Sequence, residues 1–216
     1  MNNLIELKNV SKNYTSSKKI GVLKNINYSF KSGKIYSLVG PSGSGKSTLL
    51  NLISLIDKPS SGSIKLDNEK INDNDIEQRD TIRSKKIGII YQDKNLLSDF
   101  TTLENVYIAR LSLSNDKKKA LLDAKHLINK VGLNKRLNHY PSELSGGESQ
   151  RVAISRALIN SPDIILADEP TGNLDYKNAK DIFKLLFSLK NKKRIIIFAT
   201  HNRYFANKAD CKIELL

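Results

Sequence analysis

Eight consecutive residues narrow the choice of fold more than anything else in the chain. Gly40-Pro41-Ser42-Gly43-Ser44-Gly45-Lys46-Ser47 reads as glycine, four residues, glycine, lysine and serine, with Thr48 following. An apolar run at 35–39 precedes it, and residues 47–56 after it carry apolar side chains at helical spacing. Strand, glycine-rich bend and helix in that order aim several backbone N–H groups and the positive end of a helix dipole at one point. Such a point binds an anion. Glycines let the backbone approach closely, Lys46 is placed to reach the β- and γ-phosphates of a nucleotide, and Ser47 is placed to ligate Mg²⁺. A chance Gly/Ser-rich turn would lack both flanks.

The rest of the chain fits a sheet around that loop. Residues 5–10 and Ile26, Tyr28 and Phe30 alternate apolar with polar, the pattern of antiparallel strands with one wet face. Gly62 is expected to open a strand at 63–66, residues 75–84 to form a helix, and 87–91 to form a buried strand ending at Gln92. No strand-like run occurs at 93–143; 102–111 and 116–131 read as helices, with Gly132 stopping the second. Strand signals return at 164–167, 195–199 and 213–216, with a helix at 178–189. Strands alternating with helices imply a largely parallel sheet covered on both faces. The expected class is therefore α/β: a P-loop NTPase with a mostly parallel core sheet, an N-terminal antiparallel β subdomain and an inserted α-helical subdomain. At 216 residues the chain is expected to be a single domain, 1–92 and 144–216 forming the core with its β subdomain and 93–143 the helical insert.

Which reaction follows the phosphate loop depends on the next carboxylates, since kinases, GTPases and motor ATPases share the loop itself. The apolar run 164–167 delivers Asp168 and Glu169 to the C-terminal edge of a strand, where ligands sit in open parallel sheets. Asp168 is placed to hold Mg²⁺ through its water shell, and Glu169 to polarise a water in line with the γ-phosphate.

Leu144-Ser145-Gly146-Gly147-Glu148, continuing Ser149-Gln150-Arg151-Val152-Ala153-Ile154-Ser155-Arg156-Ala157-Leu158, supplies a second anion site: a Ser hydroxyl and two glycines at the start of a helix. This run resembles the signature of ATP-binding cassette (ABC) proteins, and the resemblance covers nearly the whole chain. It implies that the signature of one subunit, Ser145 to Glu148, presses on the γ-phosphate held by the loop of another, so that two ATP molecules with Mg²⁺ are sandwiched head to tail in a homodimer or a heterodimer of related cassettes. It further implies that Tyr14 stacks on adenine, that Gln92 senses Mg²⁺ and the attacking water, that Asp175, in Asn173-Leu174-Asp175, crosses the dimer interface, and that His201 contacts the γ-phosphate. His126 and His139 match nothing in the family and are expected at the surface. The run 167–175 resembles the branch that powers macrolide-exporter and lipoprotein-release type systems, which implies a separate membrane permease contacted by the helical insert, and export or mechanotransmission as the task. Asn202 stands where many relatives carry Asp, with a small expected effect on loop geometry.

Composition narrows the alternatives. The longest uninterrupted apolar run, 195–199, is far short of the roughly 20 residues a spanning helix needs. The single Cys211 cannot form an internal disulfide, and no charged-then-apolar leader precedes residues 4–10. A cytoplasmic protein, peripheral on the inner membrane face, is the expectation. The net charge of +14 keeps open a non-transport ABC ATPase acting on nucleic acid or ribosomes. The cations are scattered in short groups without interleaved aromatics, so no specific nucleic acid is expected. A P-loop kinase or GTPase is a third reading, weakened by the lack of a guanine-reading Asn-Lys-x-Asp sequence.

Overall fold

A computed structural model describes residues 3–15 and 19–215; Leu216, the end of the last expected strand, lies outside the described residues. The chain divides into two compact units, 1–83 with 190–216, and 84–189. Neither division falls at the ends of the expected helical insert, 93–143.

The first unit opens with two long antiparallel strands, β1 (Asn3–Thr15) and β2 (Lys19–Lys31). With β4 (Ser61–Leu66) and the short β5 (Glu69–Lys70) they form a sheet of order β2-β1-β4-β5. Ile5 and Leu7 are buried while Glu6 faces outward toward Lys8 and Lys65, the alternation that the sequence shows. Continued strictly it would bury Asn9. Instead Asn9 takes a left-handed backbone (φ 50°), the register with β2 shifts between Leu7 and Val10, and Val10 turns inward. Gly62 lies inside β4 against that bulge rather than ahead of the strand, because any Cβ there would come within 2.3 Å of the Asn9 carbonyl oxygen.

The same unit holds three parallel strands in the order β8-β3-β9: β8 (Ile195–Ala199), β3 (Ile35–Val39) and β9 (Cys211–Glu214). β8 is buried at every position, the reason its sequence does not alternate. Tyr36 meets Tyr28 and Phe30 edge to face, and Tyr28 and Phe30 form a tilted pair, at 4.8 to 6.1 Å between centroids. The unit also holds α1 (Lys46–Ile53), which follows β3, and the short α7 (Arg203–Ala206). α2 (Ile76–Lys86) buries no residue of its own; Arg79 and Arg83 tie it down by donating to the Leu55 carbonyl.

In the second unit β6 (Ile87–Ile90) pairs in parallel with β7 (Ile164–Asp168). Gly88 is required there, since a Cβ would meet the Ala157 carbonyl oxygen at 2.4 Å. The unit also holds α3 (Thr102–Leu111), α4 (Lys117–Lys130), α5 (Gly146–Leu158) and α6 (Tyr176–Ser188). Val106, Ala124, Ile128, Leu133, Val152 and Ile159 make one apolar cluster joining α3, α4 and α5. Gly132 ends α4 as expected, at φ 77°. Among the described residues no helix is long and apolar enough to cross a membrane.

Candidate nucleotide site

In the first unit the phosphate loop has the backbone its sequence demands. Gly40, Gly43 and Gly45 have φ of 153°, 82° and 92°. A Cβ on Gly40 would sit 2.3 Å from the Leu215 carbonyl oxygen, and one on Gly45 2.8 Å from the Leu23 side chain. Gly43 has open space around it, so only its dihedral calls for glycine. Gly45 caps α1 without a side chain, and no acidic residue occupies the first turn. Its first N–H groups are thus left for an anion.

Lys46 is 7 % exposed and folds back along the loop, its ammonium donating to the carbonyls of Gly40 and Pro41 at 2.9 Å each. Ser44 Oγ is buried with no hydrogen-bond partner among the described residues. A phosphate oxygen would satisfy that hydroxyl, and Ser47, exposed in the first turn of α1, keeps its own hydroxyl accessible to a cation. Pro41 and Ser42 are exposed, and Thr48 is half-buried. These residues fit a magnesium-bound nucleoside triphosphate. Gly40, Pro41 and His201 line one cavity with Thr200, Arg203 and Lys212. His201 is exposed at the end of β8. Asn202 then caps α7, its Oδ1 accepting from the N–H groups of Tyr204 and Phe205. Asn and Asp cap about equally well, so the departure noted at this position leaves the turn intact.

Tyr14 is 41 % exposed on β1, directly opposite Ile20 of β2, which is 56 % exposed. The pair makes an apolar step beside the strand ends.

In the second unit β6 and β7 end at the same edge, Ile90 opposite Ala167. Gln92 and the pair Asp168-Glu169 therefore leave the sheet side by side. Glu169 has φ 44°, an unusual backbone for a long side chain and one found preferentially at functional sites. Gln92 lies against Gly172, whose absent Cβ would come 2.9 Å from the Gln92 amide nitrogen. Arg156 grips the segment beyond Gln92, donating to the carbonyls of Lys94 and Asn95 at 2.6 Å each.

Ser145 is exposed and caps α5, with Gly146 exposed and Gly147 buried behind it. Ser145 Oγ accepts from the Glu148 N–H and Glu148 Oε2 accepts from the Ser145 N–H, a reciprocal box. Glu148 also receives the Arg136 guanidinium at 2.8 Å. Its carboxylate thus has partners within the chain, and the Ser-x-x-Glu spacing is the sequence signal for that cap. The hydrogen bond from the Ser145 backbone, then that from Arg136, bring its pKa from 4.5 to about 2. Because the folded value is the lower one, this stabilisation is complete above 4.5 and disappears as pH falls toward 2. Glu148→Ala should cost about 1 kcal/mol at pH 7, and urea midpoints of variant and parent should converge as pH falls below 4.5.

Gly147 presses on Asn178, with 2.7 Å from a hypothetical Cβ to Asn178 Oδ1. Asn178 in turn donates to Asp175, which caps α6. The signature turn and the loop carrying Asp175 are therefore one connected structure, and Asn178 is the link that spacing could not reveal. His126 is exposed, whereas His139 is half-buried, its ring nitrogen 3.1 Å from Arg136 and its carbonyl accepting from Thr102.

A phosphate loop after a parallel strand, an acidic pair at a strand end and a second helix-start anion site define an ATPase of the cassette type. The chain belongs to the ABC transporter family: the family model described as "ABC transporter" matches residues 23–172. It is 45 % identical to the "Lipoprotein-releasing system ATP-binding protein LolD" of Rickettsia felis, covering 97 % of this chain and 93 % of that one. Its identity to the protein of the same description from Wigglesworthia glossinidia brevipalpis is 47 %, covering 100 % and 96 %. Among solved structures it is similar to "Dimeric structure of a post-hydrolysis state of the ATP-binding cassette MJ0796 bound to ADP and Pi", with TM-score 0.90, 40 % identity, and coverage of 98 % of this chain and 94 % of that one. The fold is the ABC ATPase cassette. The chain is the ATP-binding, ATP-hydrolysing subunit of an ABC transporter, driving a membrane permease.

Proposed function

We propose that two copies of this chain, or this chain and a related cassette, close head to tail on two magnesium-bound ATP molecules and drive a lipoprotein-release type permease from the inner face of the membrane. The exposed start of α5 carries the reading. Ser145 and Gly146 offer a hydroxyl and backbone donors to an anion, yet the chain already has a phosphate loop of its own, so a second subunit's nucleotide is the natural ligand. Lys46 would exchange its loop carbonyls for phosphate oxygens, and Ser47 and Asp168 would hold Mg²⁺, which screens the charge on the leaving group. Glu169 would accept a proton from the attacking water while Gln92 and His201 orient it and the γ-phosphate. ATP favours the closed pair and hydrolysis the open one, and the permease follows that population. The helical segment 93–143 is the surface assigned to the permease.

The likeness to lipoprotein-releasing ATP-binding proteins supports the branch. In proteoliposomes containing this chain and its permease, ATP should release a lipidated peptide from the bilayer, and Glu169→Gln should stop the release. Uptake of a soluble solute that requires a separate binding protein would reject the export assignment.

A further inference from the structure

Tyr14 does not stand alone on its strand. Lys12, two residues earlier, is 8 % exposed although it ends in an ammonium, and a buried charge is tolerated only when paired. Its Nζ donates to Asp57 Oδ1 at 2.6 Å and to the Lys58 carbonyl at 2.9 Å, and it lies over the Tyr14 ring, 4.8 Å from the centroid. The other oxygen of Asp57 accepts from the Tyr14 hydroxyl at 3.0 Å. One ion pair therefore holds the ring both by a face and by its hydroxyl. Asp57 is itself fixed, because its N–H donates to the Asn51 carbonyl of α1, the helix that starts at the phosphate loop. Burial pushes the Asp57 carboxyl up, but hydrogen bonds from Lys12, the Lys58 N–H and Tyr14 outweigh it and hold the group below the ordinary range.

We propose that Lys12 and Asp57 are positioning residues for the base platform: Lys12 occupies one face of the Tyr14 ring, so that a purine stacks only on the other, and Asp57 anchors the hydroxyl so that the ring is set before nucleotide arrives. The proposal rests on Tyr14 being the stacking residue. A platform oriented in advance loses less conformational freedom on binding, so its effect lies in affinity rather than in the rate of the chemical step. Neither a ring face nor an ammonium behind it reads the edge of a base, so ATP and GTP affinity should fall together when the pair is broken.

The chain contains no tryptophan, so Tyr14→Trp introduces a single fluorescent reporter at the platform. ATP should quench it. In the parent chain, which keeps the Tyr14 hydroxyl that Asp57 holds, Lys12→Met should raise the KM for ATP about three- to tenfold, with kcat at saturating ATP held within about twofold. Lys12→Arg, which keeps the cation, should recover most of the affinity. The double variant Lys12→Met/Asp57→Asn leaves no unpaired carboxylate and should show the same shift with a thermal midpoint near that of the parent, covering the case in which Lys12→Met alone folds poorly. A reporter insensitive to nucleotide would sink the stacking assignment itself. An unchanged KM for ATP in both the single and the double variant of the parent chain, with the Tyr14→Trp reporter still quenched by ATP, would overturn the positioning role while leaving stacking intact. A loss confined to kcat would also overturn it.

Discussion

Glu169→Gln should lower ATP turnover by about 10²- to 10⁴-fold, the range expected when a general base is removed, while ATP affinity changes little. The substitution keeps the size of the side chain and its hydrogen-bonding oxygen but leaves nothing to take a proton at neutral pH. Glu169 directly follows the last residue of β7, in a left-handed backbone that fixes where its side chain begins. The loss should therefore be chemical and not structural. If, as proposed, ATP bound between two copies favours the closed pair and hydrolysis releases it, the variant should elute from a sizing column as a dimer with ATP and as a monomer with ADP. A variant that turns over normally and stays monomeric with ATP would reject the assignment of Glu169 and the coupling together.

What could be read ahead of the structure was whatever depends on neighbours in sequence. The phosphate loop is a strand, a bend and a helix joined directly, so its glycines predict their own dihedrals, and Gly40 and Gly45 have the crowding that requires them. α3 and β8 begin and end where the pattern placed them, because a Thr101/Glu104 capping box starts the one and an unbroken apolar run defines the other. The features missed depend on contacts between distant residues. Gly62 reads in sequence as a strand opener, but it faces a bulge at Asn9 more than 50 residues earlier. Lys12 and Asp57 are 45 residues apart and look like ordinary surface charges in sequence. Glu148 is instructive in the other direction: the Ser-x-x-Glu spacing is a local signal for the capping box that the structure shows at Ser145.

Mixing two inactive variants gives the sharpest test of a shared pocket. Lys46→Ala removes the cation at the phosphate loop, whose ammonium is already gathered at the loop carbonyls, and each copy should lose turnover by at least about 100-fold. Ser145→Arg fills the exposed start of α5, removes its cap and puts a bulky cation where the γ-phosphate should meet backbone donors; alone it should be equally inactive. In a mixed dimer the Lys46→Ala copy still has an intact signature and the Ser145→Arg copy an intact phosphate loop. Those two halves face each other across one of the two sites, and the other site carries both lesions. With random pairing half of the dimers are mixed, so an equimolar mixture should recover about a quarter of parental turnover if the sites act independently, and less if both must fire. A mixture no more active than its components, with mixed dimers verified by differential tagging, would show either that one chain completes its own pocket or that a single working site is idle. Adding Glu169→Gln to the Ser145→Arg copy separates these two cases by ATP-dependent dimer retention: a shared pocket still traps one nucleotide between the mixed partners, whereas self-contained pockets give no ATP dependence of pairing.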